Sequence, residues 1–510
     1  MLNPLHRSAF VSISCLALCA APLADASTAK RKLTAADNAQ AADASLQAKV
    51  DAYVAARAPK GTTVAVTMVD TATGQVLADI HGSHPMAPAS NLKLVTTAAA
   101  LDVLGPDFNF ETLLIKRPVA AGASGPPSLV VVGDGDPAFL DPKTLAVAKL
   151  TPDAVMAAWQ AAAQKASPQG YRELVVDDRV FDAQGVPTTW PKDQLGRWYG
   201  VGASGLNFHN NVFWVTPHPT KPGAGVNVDV YPLGSFISVR NTAVTAAKGQ
   251  HDNFLVARDG NTLKVAGIVP YTPEEPFRVP MADPALNFGE WFAERLNNAK
   301  VPTGPTRRAE AGAAKIAAGD VVIHKIQTPI QAVLNRTNRD SYNLYAECLL
   351  KRIEVKASNR QGSFAGGCAA VRSALAKRLG EKALDGYEQI DGCGLSKGNR
   401  VTTRLMAQLV ASVDKDPKLS ATYRQSLATP GMDGSTLEKR FRGAELNGQV
   451  YGKSGYINGV SALSGLVVSK GGRSASFSVI GNADGGKGFD VHAMKALQEG
   501  LVEILDKQLK

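Results

Sequence analysis

Residues 87–98 read A-P-A-S-N-L-K-L-V-T-T-A. By local rules the stretch opens a helix: Pro88 is tolerated at a helix entry and Ser90 is a favoured cap. An Ala/Leu-rich continuation to Leu104 then makes a buried helix. One turn beyond Ser90 stands Lys93. Either Ser90 caps the helix and Lys93 reaches water, or the hydroxyl is a nucleophile and the lysine its proton acceptor. Residues three apart share a helix face, so both readings are sterically sound. Ser-x-x-Lys spacing arises by chance in most chains of this length, so partners elsewhere must decide.

Upstream, T-T-V-A-V-T-M-V-D (62–70) alternates as a strand does, D-T-A-T-G-Q turns, and Q-V-L-A-D-I returns as a second strand. Between about Asp107 and Asp320 the texture is β-rich. Short pieces such as S-L-V-V-V-G and N-V-F-W-V-T are broken by Gly- and Pro-rich turns. Helices are expected there chiefly at D-A-V-M-A-A-W-Q-A-A-A-Q and N-F-G-E-W-F-A-E-R-L. Four helical segments follow, the first beginning at Thr328-Pro329, and then three strands from Q-V-Y-G-K-S-G-Y onward. Met494, Leu497, Leu501 and Ile504 form the apolar stripe of a closing helix. Strands at both ends with helices between them predict one α+β domain, residues 44–112 and 321–510, interrupted by an insertion over 113–320.

The first 26 residues have a basic start, an apolar run too short to span a bilayer comfortably, and an A-D-A exit. They read as a cleavable secretory signal peptide, followed by a polar, Ala-rich tail over 27–43. A lipoprotein reading at Cys15 or Cys19 fits poorly with the residues before them. No later segment reads as a membrane anchor, so the mature protein is expected in an exported compartment, the periplasm. The formal charge of +10 survives removal of the leader. Basic residues are scattered rather than clustered with aromatics, which together with export argues against nucleic acid and for an anionic polymer or surface. Cys348, Cys368 and Cys393 remain, which rules out a disulfide scaffold. His81 and His84 have helical metal spacing but lie beside Pro85 without an acidic partner, so no metal or other cofactor is expected. The Asp-rich G-D-G-D-P at 133–137 lacks the form of a phosphate or calcium loop and reads as a turn.

Partners to Ser90 appear at Ser341-Tyr342-Asn343, where a loop enters a helix, and at Lys453-Ser454-Gly455, on a strand. Ser-x-x-Lys, Ser-x-Asn and Lys-[Ser/Thr]-Gly in this order resemble the motif set of serine penicillin-binding proteins and β-lactamases. Ser90 and Ser341 lie 251 residues apart, a gap that holds the β-rich insertion. With V-G-D-G-D-P, G-A-S-G-L-N-F-H-N-N, D-G-C-G-L-S-K-G-N-R and P-G-M-D-G-S-T-L, the chain resembles the class C low-molecular-mass penicillin-binding proteins, the DacB-type D-alanyl-D-alanine carboxypeptidases/endopeptidases. The resemblance covers nearly the whole mature chain. It implies a serine β-lactamase/penicillin-binding transpeptidase-like domain split by two nested small domains. It also implies hydrolysis of D-Ala-D-Ala bonds and cross-links in peptidoglycan, with β-lactams as covalent inhibitors.

The residue types suit that chemistry. Lys93 can act as base if burial and a second cation, Lys453, lower its pKa. Ser341 can relay a proton between Lys453 and the leaving amine, and Asn343 can hold Lys93 and the substrate amide. Lys453 and Ser454 suit a substrate carboxylate. The N–H groups of Ser90 and of Tyr456, next to Gly455, can form an oxyanion hole. Two departures stand out: Ser454 replaces the commoner Thr, and Cys393 and Lys397 stand where Ser and Arg are expected. Lys397 is a candidate for a carboxylate at the far end of a diaminopimelate side chain. A β-lactamase or esterase with the same nucleophile, and an inactive wall-binding scaffold, are the rival readings.

Overall fold

The computed structural model describes residues 44–120, 122, 124–486 and 488–509, so the leader and tail read from the sequence lie outside the described residues. Two compact units emerge. One is Phe108–Val333 with Ser358–Ser363; the other takes the described chain up to Asp107, then Leu334–Ala357 and Phe364 onward.

The second unit begins with α1 (Ala44–Arg57), β1 (Thr62–Asp70), β2 (Val76–Ile80) and α2 (Leu92–Leu104). It resumes with α3 (Asn343–Ser358), α4 (Phe364–Leu379) and α5 (Thr403–Lys415). It ends with β3 (Gln449–Ile457), β4 (Val460–Val468), β5 (Ser474–Ala483) and α6 (Val491–Gln508). The five strands form one antiparallel sheet in the order β3-β4-β5-β1-β2. The first strand of the chain thus closes a C-terminal meander: β1 pairs with β5 from Thr62↔Ala483 to Asp70↔Ala475.

Period-2 alternation sends β1 side chains to two buried faces. Val64, Val66 and Met68 join Leu46, Val50, Leu497 and Leu501 in the core beneath α1 and α6. Val69 packs with Ala407 and Ala411 of α5, while the Thr67 hydroxyl lies 2.9 Å from that of Thr403. The α1 helix was not evident from sequence, because its buried stripe is only Leu46, Val50 and Val54 in a polar, Ala-rich segment. In α6 the stripe continues from Leu501 to Leu505 rather than to Ile504, which is half-buried. At 3.6 residues per turn, the four-residue step keeps Leu505 on the stripe's line.

The other unit has a five-stranded mixed sheet ordered 306–308, 174–177, 128–132, 109–117 and 321–329. The strand Val321–Pro329 runs through Thr328-Pro329, so the next helix starts only at Ile330. The helices expected at 153–164 and 287–296 form as Pro152–Ala166 and Pro284–Asn298, and a shorter one, Pro142–Val147, joins them. All three start with a capping side chain followed by proline: Asp141-Pro142, Thr151-Pro152 and Asp283-Pro284. Trp159, Phe139, Phe288 and Phe292 pack edge-on in their core. Smaller sheets occupy the inner segment 212–280. Within G-D-G-D-P, buried Asp136 accepts from the Thr328 hydroxyl (2.6 Å) and the Ala138 N–H (2.9 Å), a structural turn. No helix of the described residues is long and apolar enough to cross a membrane.

Leu501 is fully buried between α6 and the sheet. Leu501→Ala is expected to destabilise this unit by about 3 kcal/mol through lost transfer energy and the cavity left behind. A lower urea midpoint for its unfolding transition, read by circular dichroism, checks this.

Candidate active site

Ser90 sits in a tight turn, Ala89–Asn91, that leads into α2. The helix cap position falls to Asn91, and no side chain caps it. The Ser90 hydroxyl is therefore not engaged as a cap; it accepts a hydrogen bond from Lys93 Nζ at 3.0 Å. Lys93 does not reach water either. It is fully buried, and its Nζ also donates to Asn343 Oδ1 (2.7 Å) and the Cys393 carbonyl (3.0 Å). Three elements, the Ser90 turn, α3 and the loop after Tyr387, each supply one oxygen to one nitrogen.

The second lysine is built the same way. Lys453, from β3, is fully buried and donates to Ser341 Oγ (2.9 Å) and to the Ser454 carbonyl (2.6 Å). Burial holds both amines below the ordinary lysine pKa, and repulsion from Lys93 pushes Lys453 lower still. For Lys93 burial is the leading cause, opposed by Glu347 and Asp391, whose negative charge favours its ammonium form.

Backbone geometry at the two serines is unusual. Ala89 has φ 46° and Ser341 φ 61°, both left-handed and neither glycine. Such strain clusters where side-chain direction matters more than local comfort. Gly455 brings β3 against the Ser90 turn: a Cβ there would lie 2.8 Å from Pro88 O and 3.0 Å from the nitrogens of Ser90 and Asn91. Ser454 is half-buried beside it, and the Tyr456 side chain is 58% exposed at the open end of the strand.

Among the residues expected from sequence, Ser90, Lys93 and Asn343 form one hydrogen-bonded cluster and Ser341, Lys453 and Ser454 a second, and Gly455 abuts the Ser90 turn. Lys397 is not among them. Its side chain is exposed, while its carbonyl accepts from Arg400 Nη1 at 2.7 Å.

Three buried residues had not been singled out. Asn91 fastens the Ser90 turn to the sheet, its amide turned so that the oxygen faces Leu463 N–H and the Ser464 hydroxyl and the nitrogen faces the Lys453 carbonyl. Glu347 accepts from the N–H groups of Gly392 (2.8 Å) and Cys393 (2.9 Å). Asp391 accepts from the N–H groups of Gly394 (2.7 Å) and Ser396 (2.6 Å) and from Asn399 Nδ2 (3.0 Å). Glu347 lies four residues past Asn343, on the same helical face, which is the one sequence signal that pointed to it. Glu347, Asp391 and Cys393 offer metal-capable donors close together, but both carboxylates are taken up by these loop donors. Burial pushes the Cys393 thiol well up, so it stays protonated; the residue contributes its carbonyl. Cys368 and Cys393 carry free thiols.

Comparison with known proteins places this geometry. The model of the D-Ala-D-Ala carboxypeptidase 3 (S13) family matches residues 46–508. A D-alanyl-D-alanine carboxypeptidase of Actinomadura sp. (strain R39) is 31% identical over 459 residues, 86% of this chain and 81% of that protein. The crystal structure of penicillin-binding protein 4 (dacB) from Haemophilus influenzae superposes with TM-score 0.72 at 21% identity, covering 89% of this chain and 99% of that one. A predatory peptidoglycan endopeptidase of Bdellovibrio bacteriovorus shares the fold at TM-score 0.50 and 17% identity, covering 88% and 94%.

The close approach at Gly455 makes a direct prediction. Gly455→Ala forces β3 away from the Ser90 turn by several tenths of an ångström, and misplacement on that scale is expected to slow reaction of Ser90 with a labelled penicillin about 100-fold. Stopped-time gel fluorescence measures it.

Proposed function

The chain belongs to the D-Ala-D-Ala carboxypeptidase 3 (S13) family and is a serine peptidase of that type, and from that premise we propose how it works. The substrate is the D-Ala-D-Ala end of a peptidoglycan stem peptide, reached in the periplasm after export on the N-terminal leader. Ser90 Oγ attacks the carbonyl carbon of the penultimate D-Ala while neutral Lys93 takes the hydroxyl proton. The N–H groups of Ser90 and Tyr456 hold the developing oxyanion. As the C–N bond breaks, Ser341 gives its proton to the leaving amine and recovers one from Lys453. Water then retraces the path. Its proton passes through Ser341 to Lys453, the acyl–oxygen bond breaks, and Lys93 returns the proton to Ser90.

The observation that carries this reading is the pair of buried lysines, each on one serine hydroxyl: Lys93 on Ser90 at 3.0 Å and Lys453 on Ser341 at 2.9 Å. Two charged ammonium groups buried together repel, so the pair favours one proton between them. The mechanism requires that proton on Lys453, where the substrate's terminal carboxylate, once bound beside it, favours the ammonium form and leaves Lys93 neutral. Lys453 and Ser454 receive the terminal carboxylate, and Asn343 aligns both Lys93 and the substrate amide. The basic composition suits a substrate rich in carboxylates.

We extend the reading to cross-link cleavage and to acylation of Ser90 by β-lactams. The Bdellovibrio relative is described as a peptidoglycan endopeptidase, and the Haemophilus protein was crystallised in complex with a β-lactam. Lys397, exposed on the loop that carries the Cys393 carbonyl to Lys93, is assigned to the far carboxylate of a diaminopimelate residue. In the domain reading, the peptidase domain, expected over 44–112 and 321–510, is the unit that holds Ser90, Ser341 and Lys453, and the insertion, expected over 113–320, is the unit Phe108–Val333 with Ser358–Ser363.

Intact-mass measurement after incubation with a labelled penicillin tests the core of this. Wild type is expected to carry one long-lived adduct, and Ser90→Ala none; a rapidly lost adduct indicates a β-lactamase instead. The acylation rate is expected to fall as pH is lowered, because Lys93, depressed by burial, regains its proton and can no longer act as base. A pH–rate profile of penicillin acylation measures that limb. Lys397→Ala is expected to slow turnover of diaminopimelyl peptides while leaving a lysyl-free D-Ala-D-Ala dipeptide unaffected, and equal rates on both remove Lys397 from the site.

A further inference from the structure

Beneath Lys93 lies a buried carboxyl group that the steps above do not use. We infer that Glu347 is a positioning residue for Lys93: it fixes the Cys393 carbonyl on Lys93 Nζ and, through its charge, governs where that lysine gives up its proton. The inference rests on the reading of Lys93 as the base.

The geometry begins with α3. Asn343 and Glu347, four residues apart, present two oxygen-bearing side chains on one face. Asn343 takes Lys93 directly at 2.7 Å. Glu347 instead grips two successive peptide N–H groups, Gly392 at 2.8 Å and Cys393 at 2.9 Å, one on each carboxylate oxygen. The Cys393 N–H shares a peptide plane with the Gly392 carbonyl and turns it away from Glu347, while the Cys393 carbonyl belongs to the next peptide, whose Gly394 N–H is held by Asp391 at 2.7 Å. The Gly392 carbonyl accepts from Thr96 Oγ1 at 2.7 Å, and the Cys393 carbonyl from Lys93 Nζ at 3.0 Å, both on α2. The loop is wedged tightly between its neighbours. A Cβ on Gly392 would collide with the Ala346 carbonyl, and one on Gly394, at φ 90°, with the Ala89 carbonyl of the nucleophile's turn. The segment 391–394 thus acts as a spacer between α3 and the Ser90 turn, and Glu347 holds it in place.

Charge gives Glu347 a second effect. Lys93 faces Asn343 and Glu347 from α3, the Cys393 thiol and carbonyl and Asp391 from the loop, Ser90 from its own turn, and Lys453 from β3. Glu347 faces Lys93 from α2, Asp391 and Cys393 from the loop and Cys368 from α4, with Lys351 one turn further on its own helix. Burial, with Asp391 beside it, pushes Glu347 up to about 8. Lys93, pushed down, and Glu347, pushed up, thus compete for one proton, and when it sits on Lys93 the two form a buried ammonium–carboxylate pair in which the lysine is no base. A side chain that cannot carry the charge cannot form that pair.

The test compares wild type, Glu347→Gln and Glu347→Asp by the pH profile of penicillin acylation, with Ser90→Ala as the blank. Glu347→Gln is expected to lower the maximal rate about tenfold, because one N–H of the loop loses its acceptor. Its acid limb is expected to move about one unit to lower pH, because Lys93 loses the opposite charge that favours its ammonium form. Glu347→Asp keeps the charge and should keep the limb at the wild-type pH while losing rate. A purely structural role lowers both rates and moves neither limb, so an unmoved limb in Glu347→Gln overturns the inference. Should Glu347→Gln not fold, Glu347→Ala, which also removes the charge, is read in its place: an acid limb moved to lower pH upholds the inference, and an unmoved limb overturns it. If wild type itself gives no Ser90 adduct, the assignment of Lys93 as base fails instead.

Discussion

The buried amine of Lys93 is the constraint on which this site depends. An ammonium group removed from water is costly unless every donor is matched, and here three oxygens meet it, from Ser90, Asn343 and Cys393. Those oxygens come from three separate elements. The position of α2 against α3, and of both against the loop 391–400, is therefore specified by one nitrogen. The same burial depresses the lysine's pKa and makes it usable as a base. Packing and chemistry have a single cause at this point.

Lys453 repeats the device one layer away, and its repulsion with Lys93 separates the roles of the two. In the proposed mechanism one amine serves as acceptor while the other holds the proton. The sheet makes this placement rigid. β3 is paired along its length with β4, from Gln449↔Val468 to Ile457↔Val460, so the Lys453 side chain inherits the register of a five-stranded sheet. The left-handed conformations of Ala89 and Ser341 cost about 1–3 kcal/mol each, and the surrounding hydrogen bonds and close contacts maintain them. Asn91 and Gly455 do most of that holding at the nucleophile, one by bridging the turn to the sheet and the other by letting the two backbones touch.

Much of the site was legible because its side chains are chemically distinctive and come in a fixed order. Ser90 with Lys93, Ser341 with Asn343, and Lys453 with Ser454 and Gly455 were all evident, and the structure joins them by hydrogen bonds or backbone contact. What escaped notice were ordinary residues whose importance comes from burial. Asn91 looks like any helix-start asparagine until its amide is found between two strands. Glu347 looks like an exposed helical carboxylate, yet it is buried and bound to a loop that begins 44 residues later. In the fold, the strands with clear alternation and the two longer Pro-initiated helices, Pro152–Ala166 and Pro284–Asn298, are legible because their signals are local, whereas the six-residue Pro142–Val147 is too short to show a stripe. The α1 helix is not evident from the sequence, since three buried aliphatic residues in fourteen carry too weak a stripe without the partner surface of α6. The path through Thr328-Pro329 was read as helix, whereas pairing with residues 109–117 keeps it in a strand.

By itself the sequence determined the cast: a serine, two lysines, a relay serine and an asparagine in an order that chance does not produce, on segments with strand and helix periodicities. It also determined the chemistry open to them, because hydroxyl, amine and amide groups have fixed capacities to accept and donate protons. Only the tertiary structure decided which lysine meets which serine, that both lysines are dry, and that a carboxylate lies beneath the base. The physical reason is that pKa and reactivity depend on solvent exclusion and on neighbours within a few ångströms. For Lys93 those neighbours lie some 250 and 300 positions away along the chain.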